Sequence, residues 1–138
     1  MNKKKVIVIA TVFVAIGVCT ALLFNTIVFT SHFATEISLR YKYGLEDIEV
    51  KIADSKDIEE LKSILNGVIY KDTPSCGFST DISITLTNGE KTVVLCPALD
   101  GCATIRVDES NRYISISASG RQRLDEILGR YGFRFPSL

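Results

Sequence analysis

Histidine is nearly missing from this 138-residue chain: His32 is the only one, tryptophan is absent, and there is one methionine. A Ser-His-Asp arrangement would have only His32 as its base, and there is neither a Gly-x-Ser-x-Gly elbow nor a phosphate-cradling glycine loop. The same scarcity speaks against a histidine metal site, and no pair among the four cysteines has zinc-ribbon spacing. Asp54, Asp57, Glu59 and Glu60 lack the alternating Asp/Asn ligands and the loop glycine of an EF-hand. They read instead as the acidic first turn of a helix. Basic charge is not in excess: 16 Lys and Arg balance 16 Asp and Glu. Since Lys3, Lys4 and Lys5 hold three of the positive charges, the rest of the chain carries a net of −3, which argues against a nucleic-acid-binding body. No repeat of solenoid period occurs. The expectation is a protein that is not an enzyme, with no catalytic residue, no cofactor and no metal.

What the chain does have is one long apolar run, Val6 to Phe29, which contains no charged side chain and directly follows the three lysines. At about 1.5 Å per residue, a helix of that length spans the roughly 30 Å hydrocarbon core of a bilayer. A retained signal-anchor helix is expected over 6–30, with 1–5 in the cytoplasm and 31–138 as an extracytoplasmic domain, because the lysines stay inside. Phe29, Phe33 and His32 would then lie at the outer interface. A cleaved leader is the alternative. Cutting after Ala21 leaves an apolar new terminus, cutting after Ala34 puts His32 where a small residue is wanted, and Val18 precedes Cys19 in the nearest lipobox-like stretch. With five residues ahead of the run, no cytoplasmic signalling domain is expected, and a signal would have to pass through a partner's transmembrane helix.

Beyond Ser31 the period changes to two. Ile37, Leu39, Tyr41 and Tyr43 alternate with polar residues, as do Ile48, Val50 and Ile52. Asp54 or Ser55 caps a helix carrying Ile58, Leu61, Ile64, Leu65 and Val68 on one stripe, and Asn66-Gly67 stops it. Residues 71–77 read as a loop. Ile82 to Leu86 and Lys91 to Cys96 flank Asn88-Gly89, a two-residue hairpin turn in which facing positions sum to 177. Ala103 to Val107 and Tyr113 to Ser117 form two more strands. Ser119 to Gln122 has capping-box spacing ahead of Leu124, Ile127, Leu128 and Tyr131. The fold class expected is α+β: a transmembrane helix, then a mainly antiparallel sheet of about six strands with two helices packed on one face.

Cys76, Cys96 and Cys102 lie outside the apolar run. Extending the hairpin register places Cys76 opposite position 101, next to Cys102, and Cys96 opposite Asp81. A Cys76–Cys102 disulfide is therefore expected, with Cys96–Cys102 as the rival. The spacing is not the Cys-x-x-Cys of a redox motif. Charge is uneven: Glu36 to Glu60 holds eight acids against four bases, and Arg106 to Leu138 six arginines against four acids. Arg121, Arg123, Arg130 and Arg134 could meet an acidic partner or anionic headgroups, or could form local pairs on a solvated helix face.

The segments IEVKIADSKDIEELKSIL, CGF at Cys76, the strand–Asn-Gly–strand hairpin, DGC at Cys102 and YISIS followed by LDEILGRYG together resemble the small membrane-tethered extracytoplasmic domains of Gram-positive bacteria. The resemblance implies an anchored domain for binding or sensing and transfers no catalytic residue. A non-enzymatic, single-pass protein whose outward domain binds an envelope or membrane protein, in a regulatory or immunity-type role, is the function expected. An envelope thiol-active protein or other enzyme, or a secreted domain with its leader removed, is the alternative.

Overall fold

The computed structural model describes residues 27–135. Eight strands and two helices follow in the order β1 (Val28–Phe29), β2 (Glu36–Tyr43), β3 (Glu46–Lys51), α1 (Ser55–Ile64), β4 (Gly67–Lys71), β5 (Ile82–Thr87), β6 (Thr92–Pro97), β7 (Thr104–Val107), β8 (Arg112–Ser115) and α2 (Ala118–Arg130). The architecture is α+β, with one antiparallel sheet in the order β1-β4-β8-β7-β6-β5-β2-β3.

Period-two alternation gives this sheet two unlike faces. Ile37, Leu39 and Tyr41 of β2, Ile82, Ile84 and Leu86 of β5, Leu95 of β6, Ile105 of β7 and Ile114 of β8 point to the same side and are buried. Leu61, Ile64 and Leu65 around α1 and Leu124, Ile127 and Leu128 of α2 join them in a single core. The helices begin where side chains satisfy otherwise orphaned amides. Asp54 Oδ1 accepts from Lys56 N and Asp57 N at 2.8 and 3.1 Å. Ser117 Oγ accepts from Gly120 N at 3.0 Å. Ser117, not Ser119, is thus the cap of α2, because the chain is still extended there as it leaves β8. Among the described residues no helix is long and apolar enough to cross a membrane.

Residues 6–26 of the expected anchor lie outside the described part. Residues 27–30 lie within it, and they are not helical. Val28 and Phe29 pair with Val68 and Gly67, Ile69 N donates to Ile27 O at 2.8 Å, and Phe29 is in the core. Ser31, fully buried, donates its Oγ proton to Lys62 O at 2.6 Å, and its N–H to Asn66 Oδ1 at 2.7 Å. Phe33 packs against the core as well. The boundary at residue 30, with Phe29 and Phe33 at a lipid interface, is therefore corrected. Apolarity alone does not tell a residue destined for lipid from one destined for a protein core.

Two further strands escape the six-strand reading. β1 is one, and β4 is the other, since α1 stops at Ile64 and Val68, assigned to the helical stripe, is half-exposed in a strand. Gly67 both ends the helix and lets β4 approach β8. A Cβ there would fall 2.6 Å from Ile114 Cγ2 and 3.3 Å from Ser115 O. The β5–β6 register also differs. Ile84 faces Leu95 and Thr87 faces Thr92, so facing positions sum to 179 and the loop holds four residues. Asn88 Oδ1 accepts from Glu90 N and Lys91 N at 3.1 and 2.8 Å, holding the wider turn. A shift of two keeps every side chain on its own face, which is why burial alone could not select between the registers.

Candidate functional site

Opposite the helices, β3, β2, β5 and β6 carry small or polar side chains. Ser38 and Arg40 of β2, Glu49 of β3, and Ser83 and Thr85 of β5 share this face, which the register sets out: Arg40 stands between Glu49 and Ser83. Short hydroxyl side chains on a twisted sheet leave a concavity, here an open groove of about 420 Å³ with Glu109 on its rim. The rim turn is built by Asp108, whose φ of 53° lies in the left-handed region. Asp108 N donates to Val94 O at 2.7 Å, and its Oδ1 accepts from Val94 N at 3.0 Å, which offsets that conformation. Arg40 is exposed and makes no ion pair among the described residues. One free guanidinium, several hydroxyls and two glutamates suit polar recognition by hydrogen bonds and charge.

The expected cysteine pair is present. Cys76 and Cys102 are joined, with Cα atoms 6.5 Å apart. The register used to choose them was off by two, yet the extrapolated position opposite Cys76 only moves from 101 to 103, still adjacent to Cys102. Leu99 N donates to Gly77 O at 2.9 Å, drawing the two loops together. Asp100 places a carboxylate oxygen within 4.8 Å of both sulfurs, but joined sulfurs offer no thiolate to a metal.

Cys96 is free and fully buried, opposite Arg106 in the β6–β7 ladder. Burial pushes its thiol up, against the lowering effect of Arg106, whose Nη2 lies 3.9 Å from the sulfur. Arg106 itself stacks over Phe78 at 5.7 Å, and its Nε has no partner among the described residues. The thiolate is the reactive form, so a native chain left unreduced should take up no thiol reagent at Cys96, and should react there only after denaturation. Mass spectrometry of alkylated peptides checks this.

The four arginines expected at a partner surface do different things. Arg121 is buried; its Nη1 donates to Ala98 O and Cys102 O at 2.8 Å each, its Nε donates to Asp125, and it stacks on Phe135 at 4.8 Å. It pins the disulfide loop to α2 and offers nothing to a partner, so that expectation is corrected. Arg123 lies 3.7 Å from Glu60, and Arg130 pairs with Asp57. Arg134 is exposed, while its carbonyl accepts from Tyr41 Oη at 2.6 Å.

Asp57 in the first turn of α1 accepts from Arg130 and, at 2.9 Å, from Tyr131 Oη at the end of α2. The Arg130 guanidinium holds the Asp57 carboxyl below its usual value against the opposing effect of burial, with Tyr131 and Lys56 assisting. Burial, then Asp57, push the Tyr131 hydroxyl up, so it stays a donor. Asp54 and Glu60 also line this corner. A depressed carboxylate contributes stability that is complete above the unfolded value, about 4, and is lost as pH falls through the lower folded value. Asp57→Asn should therefore lower the melting temperature at neutral pH and flatten its decline in acid, as thermal melts from pH 6 downwards would read.

None of the groove residues was singled out from sequence as a site. Ser83 and Thr85 alternate with Ile82, Ile84 and Leu86, the pattern of a half-buried strand with one polar face. Nothing local says that β2 inserts between β3 and β5 to complete it. Compared with protein-family models, with curated proteins and with solved structures, the chain matches none.

Proposed function

We propose that the chain is a non-enzymatic binding or sensing module, held in a membrane by its N-terminal apolar run with the α+β domain facing outward. Its likeness is to the small membrane-tethered extracytoplasmic domains of Gram-positive bacteria. The groove on the sheet face away from the helices is the surface that meets the ligand or partner protein, and a regulatory or immunity-type role follows from that. The observation that carries the reading is this division of labour: the helices and the core lie on one side of the sheet, the loop carrying Phe78 packs over Arg106 and Tyr113 on the other, and the polar β3-β2-β5 part of that face is left as an open groove among the described residues. The Cys76–Cys102 pair supports an oxidising location outside the cytoplasm.

The test uses intact cells. A photo-crosslinking residue at Glu109, on the groove rim, should form an adduct with an envelope component, and Arg40→Glu should abolish it. The same probe at Gln122, exposed on α2, should form none. Equal adducts from both positions, or none from Glu109, would overturn the reading. Protease added to the same cells should remove the domain; protection would overturn its placement.

A further inference from the structure

We infer that β3 is an addition site for an extended segment in which basic and apolar residues alternate. The inference rests on the binding reading and deepens it by giving the partner's chemistry.

β3 ends the sheet: it pairs with β2 and with nothing else among the described residues. A strand bonded on one side only leaves its alternate N–H and C=O groups directed outward, which is the template used when an extended peptide joins a sheet edge. The opposite edge, β1, is only two residues long, whereas β3 has six. Six residues extend about 20 Å.

Side chains along β3 specify what can pair there. On the open face it presents Asp47 and Glu49, both exposed, and on the core face Ile48 and Val50, both half-buried. β2 already shows which sequence this pattern accepts. Arg40 faces Glu49 and Lys42 faces Asp47, while Leu39 faces Val50 and Tyr41 faces Ile48. Neither basic residue comes close enough to its acid to form an ion pair among the described residues, so Asp47 and Glu49 remain available to cations arriving from the other side. Lys51 is taken by Glu36. A segment laid on the free edge would place its basic residues beside Asp47 and Glu49, next to the groove, and its apolar residues beside Ile48 and Val50.

A second copy of the chain is a poorer occupant. Pairing β3 with itself about Ile48 sets Asp47 against Glu49, and pairing about Glu49 sets that residue against its own copy. Like charges directly opposite destabilise a ladder.

The probe is an octapeptide alternating Lys and Val, fluorescently labelled and titrated into the full chain in a neutral detergent. Saturable binding is expected, with new amide-exchange protection at outward-facing N–H groups of β3. An octapeptide carrying one central proline should not bind, because it breaks the ladder. The Asp47→Lys and Glu49→Lys double variant should bind about tenfold more weakly. Both positions are exposed, and an unreactive Cys96 shows that the variant has folded. Absence of binding at millimolar peptide, or equal binding by the proline peptide, would overturn the inference. So would a sedimentation profile showing a dimer that the double variant dissolves. Because purified protein is used, such a failure would leave the cell-based crosslinking result, and the binding reading, to stand or fall separately.

Discussion

Replacing Cys76 and Cys102 together by serine should lower the unfolding free energy by about 3–4 kcal/mol. The bridge spans 26 residues of sequence and closes a loop that contains all of β5 and β6. Without it, the unfolded chain regains the freedom of that loop, whereas the folded β5–β6 hairpin keeps its own ladder. The loss should therefore appear as a shifted urea midpoint in far-ultraviolet circular dichroism, with the native spectrum intact. Reduction of the unaltered chain should give the same midpoint. If the double serine variant unfolded at the wild-type midpoint, the pair would contribute nothing and the case for an oxidising location would lose its best support. A midpoint shift with newly reactive Cys96 would show instead that the loop carrying Phe78 had lifted from Arg106.

Arg121→Ala is the second large effect, at about 2–4 kcal/mol. The substitution leaves Ala98 O and Cys102 O without their donor, beneath a side chain that is only 6% exposed in the native chain. Asp125, by contrast, is well solvated and loses little when its partner goes. Arg121→Lys keeps the charge and one nitrogen that can donate to both carbonyls, as Nη1 does, but it lacks the separate Nε donor to Asp125 and the plane stacked on Phe135, so it should recover only part of the loss. Since both Arg121 and the disulfide hold the 97–102 loop, the two losses should combine to less than their sum. A surface arginine reserved for a partner would behave oppositely: Arg121→Ala would then keep the wild-type urea midpoint.

These two predictions stand at different distances from the sequence. The disulfide was legible because a hairpin's register, even when misjudged by two, keeps residues on the same face and moves a facing position by only two places. The role of Arg121 was not. Its spacing to Asp125 marks a helix-surface pair, but the carbonyls it binds lie 23 and 19 residues away, in a loop whose path local sequence does not state. Asp57 tells the same story: acids belong at a helix start, yet Arg130 and Tyr131 reach it only because α1 and α2 meet with the start of one against the end of the other.

By itself the amino-acid sequence determined six alternating strands, both amphipathic helices, a cap at Asp54 or Ser55, a favoured cysteine pair and the presence of a long apolar N-terminal run. Each of these depends on neighbours within a few residues or on one short hairpin. Tertiary structure alone decided that Val28 and Phe29 belong to the sheet, that Gly67 to Lys71 is a strand, that β2 separates β3 from β5, and that a groove and, among the described residues, an unpaired edge result. Those outcomes depend on backbone groups and side chains far apart in the chain finding each other as water leaves, a selection that local periodicity does not encode.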